Sequence, residues 1–229
     1  LAGICYQMTG GADDMRTLLH ESGHCMQMIE SMSIPAVDLR SPSTDCAEIH
    51  SIGMEFLGSR HADVFLEPRE AERYRRNQWR EGIGLLASVA RSDLFQHWVY
   101  YNPDADPEAR NDAWMDVLRD YPSAIDVTGY EEHRRRAWLQ ITHYFASPFY
   151  MIDYAVAEVI AMQLAMIDVE SHERAAEIYT HLCRVGGTRG FNDLIAEVGL
   201  RSPFDPSLVR DLVVHAATIL DVNPTIIPQ

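Results

Sequence analysis

The chain has 229 residues, and 47% of them are hydrophobic, which is enough for one sizeable domain or a compact pair of domains. Its formal net charge is −15, which argues against a nucleic-acid-binding protein because such proteins carry basic surfaces. No apolar run reaches the roughly 18 residues that span a bilayer, and the four cysteines lack the spacing of a disulfide framework. We therefore expect reduced thiols, a cytoplasmic location, and neither nucleic acid nor a membrane among the partners.

The first predicted helix covers residues 13–33 and contains the sequence His-Glu-Ser-Gly-His. Residues four apart share one face of a helix, so His20 and His24 can direct their imidazoles at one cation. Glu21 borders the same site and can take a proton from a metal-bound water. Gly23 costs the helix about 1 kcal/mol relative to Ala, which indicates that another backbone or side chain approaches closely at this point. The alternative is a solvated helix face on which these side chains share no ligand.

The second predicted helix covers residues 44–60, and Glu48 and Glu55 lie seven residues apart near one of its faces. We assign Glu48 as the third metal ligand. Glu55 either accepts a hydrogen bond from the far nitrogen of a ligand histidine, which fixes its tautomer, or is an ordinary surface residue. His50 is a weaker rival ligand, because it is two residues from Glu48 and so lies on the other side of the helix. The expected cofactor is a single zinc ion, although manganese or cobalt can occupy the same ligands.

Helical patterns continue through the rest of the chain, and only residues 1–10 suggest a strand. Asp13 or Asp14 can cap the first helix, and Ser43 or Thr44 can cap the second. The predicted fold is mainly α, with the helix that carries the two histidines packed on a second helix that carries the glutamate ligand. The later predicted helices are about 70–101, 108–121, 131–145, 149–169, 171–185, 191–198 and 206–220.

Three blocks of this sequence, in the same order, resemble the oligoendopeptidase F and thimet oligopeptidase family of zinc metallopeptidases. The first block comprises residues 14–24 and 47–51, which include the His-Glu-x-x-His sequence. The second comprises residues 138–145 and 147–155, and it looks like the His- and Tyr-rich substrate segment of the oligoendopeptidase F branch. The third and weaker block, residues 186–190, is similar to a Gly-rich turn late in those enzymes.

The resemblance implies a helical catalytic domain of the zincin type that cleaves short peptides in a deep channel. It matches His20, His24 and Glu48 with the zinc ligands of the family, and Glu21 with the general base. In that mechanism, zinc lowers the pKa of a bound water, Glu21 removes the proton, and the hydroxide attacks the peptide carbonyl. The enzyme class that follows is a zinc-dependent metalloendopeptidase, whose expected partners are short peptides.

The same resemblance assigns roles to the His- and Tyr-rich segment and to the Gly-rich turn. It implies that Tyr154 or His143 stabilises the oxyanion, with Tyr154 as the first choice, and that Tyr150, Gly186 and Gly187 contact the substrate. On a helix, Tyr150 and Tyr154 share a face because they are four residues apart. The alternative for either tyrosine is a half-buried core aromatic.

The chain also departs from the family in its length. Members are typically more than twice as long, and their N-terminal helical region forms the opposite wall of the channel. Residues 2–11 resemble the tail of the strand segment before the zinc helix, so we expect residues 1–229 to be the C-terminal catalytic part of a longer polypeptide. That N-terminal region or a partner chain would then complete the channel. Two alternatives stay open: a zinc-stabilised module that is inactive without a partner, and a zinc aminopeptidase with the same ligand pattern.

Overall fold

The computed structural model describes residues 3–5, 7–121 and 126–223. Close contacts divide the chain into two compact units, of which the first comprises residues 1–83 and 156–229 and the second comprises residues 84–155. The described residues form α-helices and no strand, and the helices are α1 (Ala12–Glu30), α2 (Thr44–Ser59), α3 (Pro68–Tyr101), α4 (Pro107–Asp120), α5 (Glu131–Arg135), α6 (His143–Ala146), α7 (Met151–Glu170), α8 (His172–Arg184), α9 (Phe191–Glu197) and α10 (Pro206–Leu220).

The predicted mainly α fold is confirmed by this succession of helices. The strand suggested for residues 1–10 is not found in the described part, residues 3–5 and 7–10, while residues 1, 2 and 6 lie outside the described residues. Among the described helices, none combines the length and apolarity that a membrane crossing requires.

In the first unit, α1 packs directly on α2, and glycines allow the two helices to approach closely. A Cβ added at Gly23 would overlap the carbonyl oxygen of His50 and lie 2.7 Å from the Cα of Ser51. Near the other end of α2, a Cβ at Gly58 would lie 2.5 Å from the side chain of Leu19. The close approach that the sequence indicates at Gly23 is therefore the crossing point of α1 and α2.

The start of α1 differs from the capping that the sequence predicts. Gly11 occupies the N-cap position and makes no side-chain cap bond. Asp14 instead accepts hydrogen bonds from the backbone N–H groups of Thr9 and Gly10, at 2.9 Å and 2.5 Å. The prediction that Asp13 or Asp14 occupies the N-cap of α1 is wrong, although both acids lie in the first turn of the helix. The Asp14 carboxylate holds the segment that precedes the helix.

In the second unit, the helix predicted over residues 131–145 is broken into α5, a 3₁₀ turn over Ala137–Gln140, and α6. Trp138 and Tyr144 both contact the buried ring of Phe95, with ring centroids 5.3 Å and 5.8 Å away. On one continuous helix, side chains six residues apart would point about 120° apart. Burial of both rings in the same core therefore overrides the local helical pattern.

Candidate metal centre and active site

Two histidines of α1 and one glutamate of α2 direct their side-chain donor atoms at a common point in the first unit. His20 Nε2 lies 3.4 Å from Glu48 Oε2, and His24 Nε2 lies 3.7 Å from the same oxygen. The three ligand atoms all lie within 4.8 Å of one another. Tetrahedral zinc with bonds of about 2.0–2.1 Å requires ligand atoms about 3.3 Å apart. The donor set and its spacing therefore fit a zinc ion.

Two further side chains orient these donor atoms. Glu55 Oε1 lies 2.7 Å from His20 Nδ1, so it accepts the N–H at this nitrogen and leaves Nε2 with a lone pair for a metal. Ser51 donates its hydroxyl to Glu48 Oε2 at 2.7 Å. Both Glu48 and Ser51 are buried, so the carboxylate is held in one orientation by a contact that excludes water.

The carboxylates around the two imidazoles favour a positive charge in this site, whereas burial opposes one. Burial opposes protonation of His20, but the hydrogen bond and charge of Glu55, together with the charges of Glu48 and Glu21, raise its pKa above the ordinary value. Burial lowers the pKa of His24, and the opposing effect of Glu48 does not compensate for it. His24 is therefore neutral at neutral pH, which is the form that binds a metal. Glu21 follows His20 on α1, is half-buried, and acts electrostatically on both imidazoles.

His50 lies outside this cluster, although it is a histidine of α2. Its ring is buried, and its Nε2 lies 3.2 Å from the carbonyl oxygen of Leu182 on α8. The hydroxyl of Tyr179, also on α8, donates to the carbonyl of His50 at 2.8 Å. The His50 side chain therefore packs against α8, while the Glu48 side chain is directed at the histidines of α1.

In the second unit, the three aromatic residues of the His- and Tyr-rich segment form one cluster. The His143 ring stacks on Tyr150, with centroids 5.8 Å apart, and meets the edge of Tyr154 at 5.8 Å. Tyr150 and Tyr154 contact each other at 5.3 Å with nearly perpendicular rings. The structure therefore brings together His143, Tyr150 and Tyr154, while their roles towards the substrate stay predictions.

The two glycines after α8 have a packing role. Gly186 has φ 51°, a left-handed conformation that favours glycine, and it follows the C-cap of the helix. The Gly187 N–H donates to the carbonyl of Leu39 at 2.8 Å, and a Cβ at this position would lie 2.5 Å from the carbonyl oxygen of Ser41. These glycines allow a close approach to the loop over residues 39–41, and their contact with substrate stays a prediction.

A family model described as Peptidase family M3 matches residues 6–214, which is most of the chain. The chain belongs to peptidase family M3. The resemblance stated from the three sequence blocks is thereby confirmed, and membership in the M3 family supports a metallopeptidase. No curated protein matches this M3 chain.

Solved structures of longer proteins are similar to this M3 domain. PZ peptidase A, solved with an inhibitor, has a TM-score of 0.88 and 31% identity over 95% of this chain and 39% of its own. A protein provisionally named oligoendopeptidase F has a TM-score of 0.89 and 32% identity over 96% of this chain and 39% of its own. Another protein with that provisional name, from Bacillus anthracis str. Ames, has a TM-score of 0.79 and 29% identity over 96% of this chain and 37% of its own. The M3 chain thus spans about two fifths of the length of these proteins.

Sequence reasoning assigned no role to Ser51, although this residue orients the Glu48 carboxylate in the M3 domain. The sequence does contain a pattern that predicts this contact, because a hydroxyl three residues after a carboxylate on one helix can reach back to it. Gln96 of α3 was missed as well, since no local pattern reveals its bond to the backbone of Phe149, 53 residues later.

Proposed function

We propose that this chain is the catalytic part of a zinc-dependent oligopeptidase that hydrolyses peptide bonds within short peptides. The observation that carries the proposal is the convergence of His20, His24 and Glu48 on one point in a chain of peptidase family M3. Zinc is the metal that two imidazoles and a carboxylate at this spacing fit best. Similar structures named oligoendopeptidase F support an endopeptidase over an aminopeptidase.

When bound by His20, His24 and Glu48, zinc would polarise the scissile carbonyl and supply a nucleophilic water at neutral pH. Glu21 accepts the proton of the attacking water and returns it to the leaving amine. Glu55 keeps the His20 ring in the tautomer that presents Nε2. These side chains lie on two helices in direct contact, so the arrangement is set before substrate arrives.

The oxyanion that forms on the carbonyl requires hydrogen-bond donors besides the metal. We assign this role to Tyr154 or His143, with Tyr154 preferred because a phenol is a donor at neutral pH whatever the state of the imidazole. Tyr150 contacts the bound peptide in this proposal, as do Gly186 and Gly187. The mutual contacts of the three aromatic rings support a shared role for them.

The proposed location is the cytoplasm, and the four cysteines, which form no disulfide in the described part of the chain, agree with a reducing compartment. A second candidate function is a zinc-stabilised module that needs further residues or a partner chain to form the substrate channel. The observation that favours it is that the chain spans only about two fifths of the length of similar solved proteins.

Metal analysis combined with cleavage of a short quenched fluorescent peptide tests the proposal. We expect a single zinc ion per chain and cleavage that a chelator abolishes. Glu21→Gln should lower kcat by roughly 10³-fold or more while zinc stays bound, because the variant lacks a base but keeps all three ligands. Glu30→Gln is the matched control, since Glu30 lies on the same helix but pairs with Arg184. It should cleave like the wild type.

The outcomes separate the two candidate functions. Zinc binding without cleavage in both the wild type and Glu21→Gln would favour the module that needs additional chain. Cleavage that survives Glu21→Gln, or a chain that binds no metal, would overturn the proposed mechanism.

A further inference from the structure

The turn between α6 and α7 holds a bulky residue in a left-handed conformation. The Tyr150 N–H donates to the Ser147 carbonyl at 3.1 Å, which closes a β-turn with Pro148 at its second position. Phe149 occupies the third position with φ 64°, where such turns normally carry glycine. A phenylalanine keeps this conformation only when surrounding contacts impose it.

Gln96 of α3 supplies one of those contacts, and aromatic packing supplies the other. The Phe149 N–H donates to Gln96 Oε1 at 2.8 Å. Gln96 is only 2% exposed, and its amide nitrogen donates to the Ser92 carbonyl at 3.4 Å, which fixes the direction of its oxygen. The Phe149 ring packs between His97 and Tyr100, with centroid distances of 5.0 Å and 4.9 Å. A buried amide and two rings thus determine the backbone of this turn.

The turn connects the members of the aromatic cluster. His143 precedes it on α6, whereas Tyr150 and Tyr154 follow it, yet both tyrosine rings contact the His143 ring. The relative placement of the three rings therefore depends on the backbone conformation at Phe149.

We propose that Gln96 is a positioning residue for the cluster of His143, Tyr150 and Tyr154, acting through the N–H of Phe149. The inference rests on the proposed function, which assigns these rings to the oxyanion and the substrate. Without the amide oxygen, Phe149 leaves the left-handed region and the tyrosines turn away from His143. Donors that are displaced by this change stabilise the transition state less, so kcat falls more than KM rises.

This consequence is tested by measuring the kinetics of the Gln96→Met variant. The protein is expressed from its complete natural reading frame. The variant keeps the volume of the side chain and removes the acceptor. We expect kcat to fall roughly ten-fold, with a smaller change in KM and unchanged zinc content. Gln163→Met is the matched control, because Gln163 is also a buried glutamine whose amide bonds to backbone, that of Arg201. A loss of kcat in Gln96→Met no larger than in Gln163→Met would overturn the proposal.

Changing residue 149 separates positioning from general destabilisation. Phe149→Gly and Phe149→Ala both remove the ring, but only glycine adopts positive φ readily. In the Phe149→Gly background, Gln96→Met should lower kcat less than it does in the Phe149→Ala background. Equal losses in the two backgrounds would contradict an action through the backbone at position 149.

A spectroscopic readout distinguishes failure of this inference from failure of the proposed function. The imidazole proton signals of His143, identified by their loss in His143→Gln, should shift in Gln96→Met and not in Gln163→Met, because two tyrosine rings surround His143. An unshifted signal overturns the inference, and so does a shifted signal accompanied by unchanged kcat. If the wild type does not cleave peptides, the proposed function fails, and the His143 signal alone decides whether Gln96 positions the cluster.

Discussion

The hydrogen bond between His20 and Glu55 decides which imidazole nitrogen is available to a metal ion. With Glu55 Oε1 2.7 Å from Nδ1, the proton of the neutral ring stays on Nδ1 and Nε2 keeps its lone pair near Glu48. The side chain of Glu55 is only 13% exposed, so water cannot readily replace it as the acceptor. One carboxylate that is not itself a ligand therefore prepares a ligand for binding.

We predict that Glu55→Ala lowers the affinity for zinc by about 10- to 100-fold, because His20 loses the partner that fixes its tautomer and ring orientation. Glu55→Gln should lower the affinity for zinc less than Glu55→Ala does, since the amide oxygen still accepts a hydrogen bond from the Nδ1–H of His20. Competition with a chromophoric chelator measures both affinities. Glu81→Gln serves as the control, because Glu81 is exposed and pairs with Arg16. Equal affinities in Glu55→Ala and the wild type would contradict this role.

Single residues differ in how far the sequence reveals their contacts. That His20 and His24 direct their rings at the same point is predictable, because both lie on one helix, where the spacing of two residues determines the directions of their side chains. The contact of His143 with Tyr150 depends on a left-handed turn at Phe149, and no propensity suggests a phenylalanine there. The direction of a side chain is therefore predictable within a helix and not across a strained turn.

At the level of secondary structure elements, the crossing of α1 and α2 determines whether the ligands from the two helices can meet. Gly23 lies between the two histidines of α1 and against the backbone of α2 at His50 and Ser51. The metal site therefore forms only if this crossing remains close.

We predict that Gly23→Ala destabilises the protein by about 2 kcal/mol. The methyl group gains about 1 kcal/mol of helix propensity, but it overlaps backbone that cannot move aside, and overpacking typically costs 1–3 kcal/mol or more. Gly84→Ala is the control on α3, because a Cβ there meets nothing within 4 Å and the change should stabilise by up to about 1 kcal/mol. Unfolding of the metal-free protein in urea measures the stability of both variants relative to the wild type. A Gly23→Ala variant as stable as the wild type would mean that the helices can separate without cost.

The elements themselves were largely predictable, since the helical period predicts α1, α2 and α10 to within a few residues. Prediction failed over residues 131–145, where the helix is interrupted. Trp138 donates its indole N–H to Asn111, and Trp114 donates its indole N–H to the carbonyl of Arg134. The backbone of this segment is therefore determined by contacts with the core of the second unit and not by the helical period of its own sequence. Contacts between residues that are far apart in the sequence cannot be predicted from the spacing of neighbouring residues.

At the level of the whole molecule, the sequence did not reveal that the chain divides into two units or that Glu158 of α7 is buried in the first. Glu158 is 5% exposed, and a Cβ added at Gly82 would overlap its carboxyl oxygen. Position 82 is 76 residues away in the chain, so no local pattern indicates that a glycine there makes room for an acid. Burial, with a smaller contribution from the charge of Glu55 and opposed by Arg16, raises the pKa of Glu158 to about 8.

The raised pKa of Glu158 makes the stability of the molecule depend on pH in a definite direction. In the unfolded chain the carboxyl titrates near its ordinary value, at about 4.3. Between that value and about 8, the folded protein binds a proton that the unfolded chain does not, so the free energy of unfolding decreases as pH rises. The cost of the ionised buried group is fully present above pH 8 and absent below the unfolded pKa.

We predict that Glu158→Gln, which imitates the protonated acid, raises Tm by at least about 3 °C at pH 9 and changes it little near pH 4. Thermal unfolding of metal-free protein followed by circular dichroism at both pH values measures the difference between variant and wild type. Glu30→Gln controls for the general loss of one negative charge, because Glu30 forms an ion pair with the exposed Arg184 and should not gain stability as pH rises. A variant whose advantage over the wild type is the same at both pH values would show that the pKa of Glu158 is the same in the folded and the unfolded protein, which its burial against α3 argues against.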